Sequence, residues 1–92
     1  MADLPEGRGR LIHANGDVYV GGWKADKMHG FGVISYENGA RYEGNWENDL
    51  YHGHGKELLA DDSTYEGEYH EGKKHGKGKF IWVDTSHYEG QF

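Results

Sequence analysis

The chain repeats a 23-residue pattern over nearly its whole length of 92 residues. Glycine and aromatic residues recur at this spacing in five series that stay in register, and the series begin at Gly7, Gly9, Tyr19, Gly21 and Trp23. The unit reads YxGx and an aromatic residue, then a polar loop, HGxGxxxx and a short turn. A fixed period of about 20 to 50 residues is typical of proteins that stack one small supersecondary unit many times. The pattern therefore predicts a repeat array.

Two segments of each unit have the composition of β-strands. Residues 19–23 and 31–36 are rich in β-branched and aromatic side chains, and the polar loop of residues 24–30 separates them as in a hairpin. The next connection contains Asn38-Gly39, a strong turn signal. Because both connections are short, consecutive strands are expected to pair antiparallel. The sequence predicts an all-β fold, a single-layer antiparallel meander of about eight strands.

The period also sets the domain organisation. Residues 1–6 are predicted to form an N-terminal tail, and the array fills residues 7–92. The register gives a partial unit, three complete units and a final partial unit, at residues 7–18, 19–41, 42–64, 65–87 and 88–92. The first and last strands of such an array leave backbone groups unpaired. Copies of the chain could therefore assemble through these edges into a homo-oligomer, or the chain could belong to a longer array.

Side chains alternate between the two faces of a strand, so parity assigns each residue to a face. Tyr19, Gly21 and Trp23 share one face, and a returning strand places Gly78 and Phe80 together in the same way. Glycine beside bulky rings leaves room for a ring to lie flat across the backbone. The opposite face is charged and is expected to be solvated. Its residues include Glu43, Asn45, Glu47, Lys56, Glu66, Glu68, His70, Lys77 and Lys79.

No segment has a helical period long enough to cover the aromatic face. An incompletely covered aromatic strip is a mark of a binding surface, because monomers rarely expose large apolar patches. We therefore expect this face to bind a helix or an extended peptide of a partner protein. The residues predicted to form the protein-binding face are Tyr19, Trp23, Tyr36, Tyr42, Trp46, Tyr65, Tyr69, Trp82 and Tyr88.

Composition argues against several other classes of function. The formal net charge of −6 disfavours nucleic acid as a partner, since phosphate binding needs a basic surface. The longest apolar run, from Phe80 to Val83, is far too short for a membrane span or a signal peptide, so we expect a soluble protein that is not exported. The absence of cysteine removes disulfides and thiolate metal sites, and it fits an intracellular compartment.

Catalytic and metal-binding patterns are weak. His29, His52 and His75 recur once per unit, but with two strands per unit they lie roughly 10 Å apart, too far to share a zinc ion. They are expected to bond to the backbone at loop ends, and no third ligand accompanies His52 and His54. No serine lies in a nucleophile elbow, and the glycine pairs lack the spacing of a phosphate loop. The sequence predicts a non-enzymatic protein with no catalytic residue, cofactor or metal.

The unit resembles the MORN repeat over essentially residues 7–92. The matching motifs are YVGGW, YEGNW, YEGEY and YEGQF, and the first three are followed by HGFG, HGHG or HGKG. Val20 replaces the usual acidic residue, and DDS at residues 61–63 replaces the usual Asn-Gly or Asp-Gly turn. Within the family, the array is most similar to the tandem repeats of radial spoke head proteins. The resemblance implies an adaptor in the cytoplasm, in a cytoskeletal or ciliary assembly.

The stretch KKHGKGK at residues 73–79 supports an alternative function. Its lysines, Lys73, Lys74, Lys77 and Lys79, could meet anionic phospholipid headgroups. Families that resemble this one are linked to membranes and phosphoinositides, which favours the alternative. Three glutamates in the same unit and the negative net charge of the chain argue against lipid binding. A membrane-associated module is therefore kept as the second prediction.

Glu57 is a carboxylate that the register places on the aromatic face. It occupies the position that Ile34 and Phe80 fill in the neighbouring units. A buried carboxylate is costly unless it is paired or reaches water. Glu57 is therefore expected either to extend past the rings to solvent or to meet a basic group on a partner. The sequence leaves both alternatives open.

Overall fold

The computed structural model describes residues 6–92. Residues 1–5 of the predicted tail lie outside the described part, and Glu6, its last residue, begins the first strand. Eight strands follow in chain order: β1 (Glu6–Ile12), β2 (Val18–Lys24), β3 (Lys27–Ser35), β4 (Arg41–Glu47), β5 (Leu50–Leu58), β6 (Thr64–His70), β7 (Lys73–Ile81) and β8 (His87–Gln91). Sheet order equals chain order, so no connection crosses over another strand.

All neighbouring strands pair antiparallel in one open sheet. The described chain measures 46 × 26 × 14 Å, and over residues 6–92 neither a helix nor a second sheet packs on either face. The predicted all-β, single-layer meander of eight strands is confirmed. A helix with the length and apolar character needed to cross a membrane does not occur within the described residues.

Three connections are two-residue turns, which are tighter than the sequence suggested. Between β2 and β3 only Ala25 and Asp26 leave the strands, with φ of 52° and 66°. Two successive left-handed residues are typical of the type I′ turn, whose twist matches that of the flanking strands. The predicted loop of residues 24–30 is therefore too long, because Lys27 already lies in β3. The equivalent turns are Asn48-Asp49 and Glu71-Gly72.

The other four turns lie at the opposite end of the strands and share one hydrogen-bond pattern. In the β3–β4 turn the backbone N–H of Ala40 donates to Asn38 Oδ1 over 2.9 Å. In the β5–β6 turn the N–H of Ser63 donates to Asp61 Oδ1 over 2.9 Å. Asp62 then adopts a φ of 73°, in the place where two of the other turns have glycine. The DDS sequence therefore keeps the turn geometry although it departs from the usual signal.

The two glycines of each HGxG motif have different roles. The first has a positive φ, between 64° and 80°, beside a shift of register, and this conformation favours glycine; these residues are Gly30, Gly53 and Gly76. The second glycine of each motif pairs directly with a glycine on each of the two neighbouring strands. These direct pairs form one glycine line across the sheet: Gly9, Gly21, Gly32, Gly44, Gly55, Gly67, Gly78 and Gly90.

The glycine line makes a furrow on the aromatic face, because directly paired residues of antiparallel strands point to the same side. Tyr19 lies in the furrow over Gly32: a Cβ on Gly32 would be 2.6 Å from Tyr19 Cζ. The Tyr19 hydroxyl donates to the backbone oxygen of Gly22 over 2.9 Å. The equivalent pairs are Tyr42 with Gly55 and Tyr65 with Gly78. The predicted position of a ring over a strand glycine is confirmed.

The core of the sheet is a row of aromatic rings. Each ring meets the next edge to face, with centroids 5.0 to 5.3 Å apart, a favourable geometry for aromatic pairs. We call this row the aromatic ladder, and in spatial order it comprises Trp23, Tyr19, Trp46, Tyr42, Tyr69, Tyr65, Phe92 and Tyr88. From Tyr19 to Tyr65 the rings bury one another, so a single layer of strands builds a hydrophobic core without a second layer. Phe92 and Tyr88, at one end of the ladder, stay 40% and 44% exposed.

Candidate interaction surfaces

Exposure divides the nine predicted binding residues. Five of them expose 4% or less of their surface: Tyr19, Tyr42, Trp46, Tyr65 and Tyr69. These five are not accessible to a partner in this structure, because the rings of the aromatic ladder cover one another. Trp23 and Tyr36 are half-buried, whereas Trp82 and Tyr88 are 45% and 44% exposed. The accessible part of the predicted face therefore lies mainly on β7, β8 and the turn between them.

Tyr51 is a half-buried member of the aromatic face that the sequence pattern did not reveal. Its ring stacks on Tyr42 with centroids 3.7 Å apart and planes at 3°, and its hydroxyl lies 2.5 Å from that of Tyr36. Burial raises the pKa of the hydroxyl of both Tyr51 and Tyr36. The equivalent positions in two other units hold Met28 and Lys74, so no period marked this ring. Its aromatic type at the start of a strand was the only signal.

Glu57 finds its partners within the chain. The Tyr69 hydroxyl donates to Glu57 Oε1 over 2.6 Å, and Lys74 Nζ lies 3.7 Å from the same oxygen. Only 21% of the Glu57 side chain is exposed. Burial, and then the contact with Glu57, raises the pKa of Tyr69. This internal contact replaces both sequence alternatives, because Lys74 lies on the aromatic face and supplies the positive charge there.

The four lysines of the alternative lipid site are divided between the two faces. Lys74 lies on the aromatic face, with its Nζ 5.2 Å from the ring centroid of Tyr65. The exposed lysines on the charged face are Lys73, Lys77 and Lys79. The register places Lys79 directly between Glu66 and Glu89. The structure therefore does not gather the four lysines into one basic patch.

A row of histidines lies beside the two-residue turns. His52 Nε2 is 3.1 Å from Glu47 Oε1, and His52 Nδ1 accepts from the backbone N–H of Glu71 over 3.3 Å, which confirms the expected backbone contact for His52. Ring centroids of His52 and His70 are 5.1 Å apart, and those of His70 and His75 are 5.4 Å apart. His70 comes from the intervening strand β6, so it lies between His52 on β5 and His75 on β7. Across residues 6–92, no three side chains of histidine, cysteine, aspartate or glutamate are arranged so that they could hold a metal ion.

An open groove lies between the β5–β6 and β7–β8 turns. It has a volume of about 610 Å³ and is lined by Asp61, Ser63, Trp82, Val83, Asp84 and Ser86. Trp82 packs against Phe80, with ring centroids 4.7 Å apart. The N–H of Ser63 lowers the pKa of Asp61, and the hydroxyl of Ser86 lowers the pKa of Asp84. Two ionised carboxylates therefore flank an exposed indole, and only Trp82 among these residues was predicted from the sequence.

The comparisons with known proteins agree with the repeat geometry. The family model described as MORN repeat matches residues 1–18, 19–41, 42–64 and 65–87. The comparison with curated proteins gave no match. MORN repeats generally mediate interactions with proteins or membranes and are not typically enzymatic. With four tandem matches on an eight-stranded meander, the chain belongs to the MORN repeat family.

Proposed function

We propose that the chain is a non-enzymatic adaptor that binds a segment of a partner protein on the accessible part of its aromatic face. The observation that carries the proposal is the group of exposed apolar side chains on β7, β8 and the turn between them. Trp82 and Tyr88 are 45% and 44% exposed, and Val83 is 60% exposed. Exposed apolar groups of this kind mark interaction sites, and tryptophan and tyrosine often dominate binding energy.

The rings at this end form a continuous apolar surface. Phe80 pairs directly with Tyr88 across the strands, and its ring also contacts Trp82. We expect a helix or an extended peptide of the partner to lie across these three rings, with apolar anchors against them. The buried rings of the aromatic ladder lie beside this surface. Their role in the proposal is to hold the backbone under it in one conformation.

The cellular setting is proposed from resemblance alone. Similarity of the array to the repeats of radial spoke head proteins favours an intracellular adaptor, in the cytoplasm or in a cytoskeletal or ciliary assembly. Imaging of a fluorescently tagged full chain in ciliated cells tests this setting. Signal along the axoneme supports it, and diffuse signal that never concentrates on cytoskeletal structures contradicts it.

A photo-cross-linker at position 83, next to Trp82, tests the adaptor proposal, because Val83 is 60% exposed and its replacement leaves Trp82 in place. The partner captured there is identified, purified and titrated against the unmodified chain and two variants. Trp82→Ala is expected to weaken binding by about tenfold or more, because tryptophan is a frequent hot spot. Phe31→Ala is the matched control, since Phe31 is 49% exposed and lies on the opposite face beside Asn45 and Glu43. Equal losses from both variants would contradict the proposal.

Two further interactions are proposed as less favoured alternatives. Phospholipid binding would use the exposed lysines of β7, and vesicles with and without anionic phosphoinositides test it by co-sedimentation. Assembly of copies would use β1 and β8, which each pair with a single neighbour among the described strands. Sedimentation equilibrium at high concentration tests the assembly, and a strict monomer would contradict it.

A further inference from the structure

The groove between the β5–β6 and β7–β8 turns differs from the rest of the turn row. The position of Asp61 and Asp84 is held by neutral Asn15 and Asn38 in the first two turns. The position of Trp82 is held by His13, Tyr36 or Leu59. An indole flanked by two carboxylates therefore occurs in this groove and not between the other described turns. Its volume of about 610 Å³ is in the range of about 300 to 1,000 Å³ that ligand sites have.

Both carboxylates are fixed, ionised and without a cation. Asp61 Oδ1 accepts from the Ser63 N–H over 2.9 Å, and Asp84 Oδ1 accepts from the Ser86 N–H over 3.0 Å and from its hydroxyl over 2.5 Å. These contacts use Oδ1 alone on each aspartate. Within the described residues neither aspartate forms an ion pair. The second oxygen of each carboxylate is therefore left to accept from an incoming group.

Ser63 keeps Asp61 ionised at the wall of the groove. Its backbone N–H donates to Asp61 Oδ1 over 2.9 Å, and this contact and the Ser63 hydroxyl both lower the pKa of the Asp61 carboxyl. Ser63 itself is only 1% exposed, whereas Asp61 is exposed. Asp61 therefore presents a negative charge to the groove that it lines together with Asp84 and Trp82.

We propose that this groove binds the guanidinium group of an arginine on the partner segment, an inference that rests on the proposed adaptor function. A guanidinium is planar, so it stacks on an indole, and it carries five N–H donors and no acceptor. Those donors suit two carboxylates in one site. A lysine would supply the charge as a point, without the flat face that matches Trp82. Binding of this arginine in the groove thus fixes the position of the partner segment along the exposed rings.

The test is a titration of the full chain with two capped tripeptides, followed by NMR. One peptide is acetyl-Gly-Arg-Gly-amide, and the other replaces arginine by citrulline, which has a similar shape and no charge. The arginine peptide is expected to shift the amide signals of Ser63 and Ser86 and the indole N–H of Trp82, with an affinity at least about tenfold higher than that of the citrulline peptide. Equal affinity of the two peptides, or shifts only outside the groove, would overturn the inference.

The double variant Asp61→Asn with Asp84→Asn removes the charges and keeps the turns. Asn15 and Asn38 already hold the first two turns through the same contact, at 3.0 and 2.9 Å. This variant is expected to bind the arginine peptide at least about tenfold more weakly while unfolding at the same denaturant concentration. Unchanged peptide affinity in the folded variant would overturn the inference.

The partner captured at position 83 separates the two proposals. If Trp82→Ala weakens its binding and the double asparagine variant does not, the adaptor function stands and the arginine inference fails. If the arginine peptide binds as expected but the partner binds equally well to Trp82→Ala, the adaptor proposal fails and the chemistry of the groove stands.

Discussion

Gly55 shows how one missing side chain positions a ring of the core. A Cβ on this residue would lie 2.6 Å from Cζ of Tyr42, a ring that is fully buried and donates its hydroxyl to the Asn45 backbone oxygen over 2.7 Å. Tyr42 also stacks on Tyr51, with ring centroids 3.7 Å apart, so one face of the ring is covered by another ring. The glycine therefore acts through the space that it leaves, and not through an unusual backbone angle.

Replacing Gly55 by alanine is expected to lower the free energy of unfolding by about 3 kcal/mol, because the Tyr42 ring must leave its place. Gly39→Ala is the control. Gly39 has a φ of 97°, and a Cβ added to it would meet no atom within 4 Å, so alanine there meets backbone strain of only about 1 kcal/mol. Urea unfolding followed by tryptophan fluorescence measures both. Similar losses for the two variants would show that ring displacement is not the main effect.

The buried tyrosine hydroxyls make stability sensitive to alkaline pH. Burial raises the pKa of Tyr19 from 10.0 to about 12. Between these values the unfolded chain loses the Tyr19 proton and the folded chain keeps it, so the free energy of unfolding falls as pH rises from about 10 to about 12. Below about pH 10 the contribution is fully present. Urea midpoints measured across this range are expected to fall more steeply for the unmodified chain than for Tyr19→Phe, and equal slopes would contradict the assignment to Tyr19.

At the scale of elements, the four longer turns keep one geometry with different residues. The left-handed position is glycine in the first two turns, Asp62 in the third and Thr85 in the fourth, with φ of 73° and 70° for the last two. Aspartate tolerates this region better than a β-branched residue does. The turn row is therefore conformationally strained at its β7–β8 end, beside the groove that holds Trp82.

Thr85→Gly is expected to raise the free energy of unfolding by about 1 kcal/mol, and Asp62→Gly by less, because glycine relieves the left-handed strain. Val83→Gly is the matched control in the same turn. Val83 is not in the left-handed region, so glycine there should only add disorder to the unfolded chain and lower stability. Thermal unfolding measures the three variants. A larger gain for Asp62→Gly than for Thr85→Gly would contradict the ranking.

At the scale of the whole molecule, stability passes from unit to unit along the aromatic ladder. Trp46 contacts the rings of Tyr19, Tyr42 and Tyr51, and its Nε1 donates to the Gly32 backbone oxygen over 3.1 Å. Among the rings of residues 6–92, Trp23 at one end of the ladder has an edge-to-face contact with Tyr19 alone. In stacked repeats each unit is stabilised by its neighbours, so central and terminal rings are not equivalent.

Trp46→Leu is therefore expected to lower the free energy of unfolding by about 3 kcal/mol or more, and Trp23→Leu by about half as much. Both variants change the same residue type at the same position of the unit, so each is the control for the other. Urea unfolding followed by circular dichroism measures the difference. Equal losses would show that coupling along the ladder does not contribute.

Much of the molecule could be predicted from residues that follow the period. Tyr19, Gly32 and Trp46 lie where the repeat and the alternation of side chains placed them. Tyr51, Lys74 and the groove at Trp82 could not be predicted in the same way. Their roles depend on which side chain lies opposite on the next strand or in the next turn, and those neighbours differ from unit to unit.

The sequence by itself determined the strand number, the antiparallel order and the face of each periodic residue, because the repeat length and the alternation of side chains along a strand leave little choice. Only the tertiary structure decided which rings are buried and which are accessible. Exposure depends on contacts between strands, and edge-to-face packing closed the surface over Tyr19, Tyr42 and Tyr65 but left Trp82 open between two carboxylates. The same contacts turned Glu57 inward to Tyr69 and Lys74.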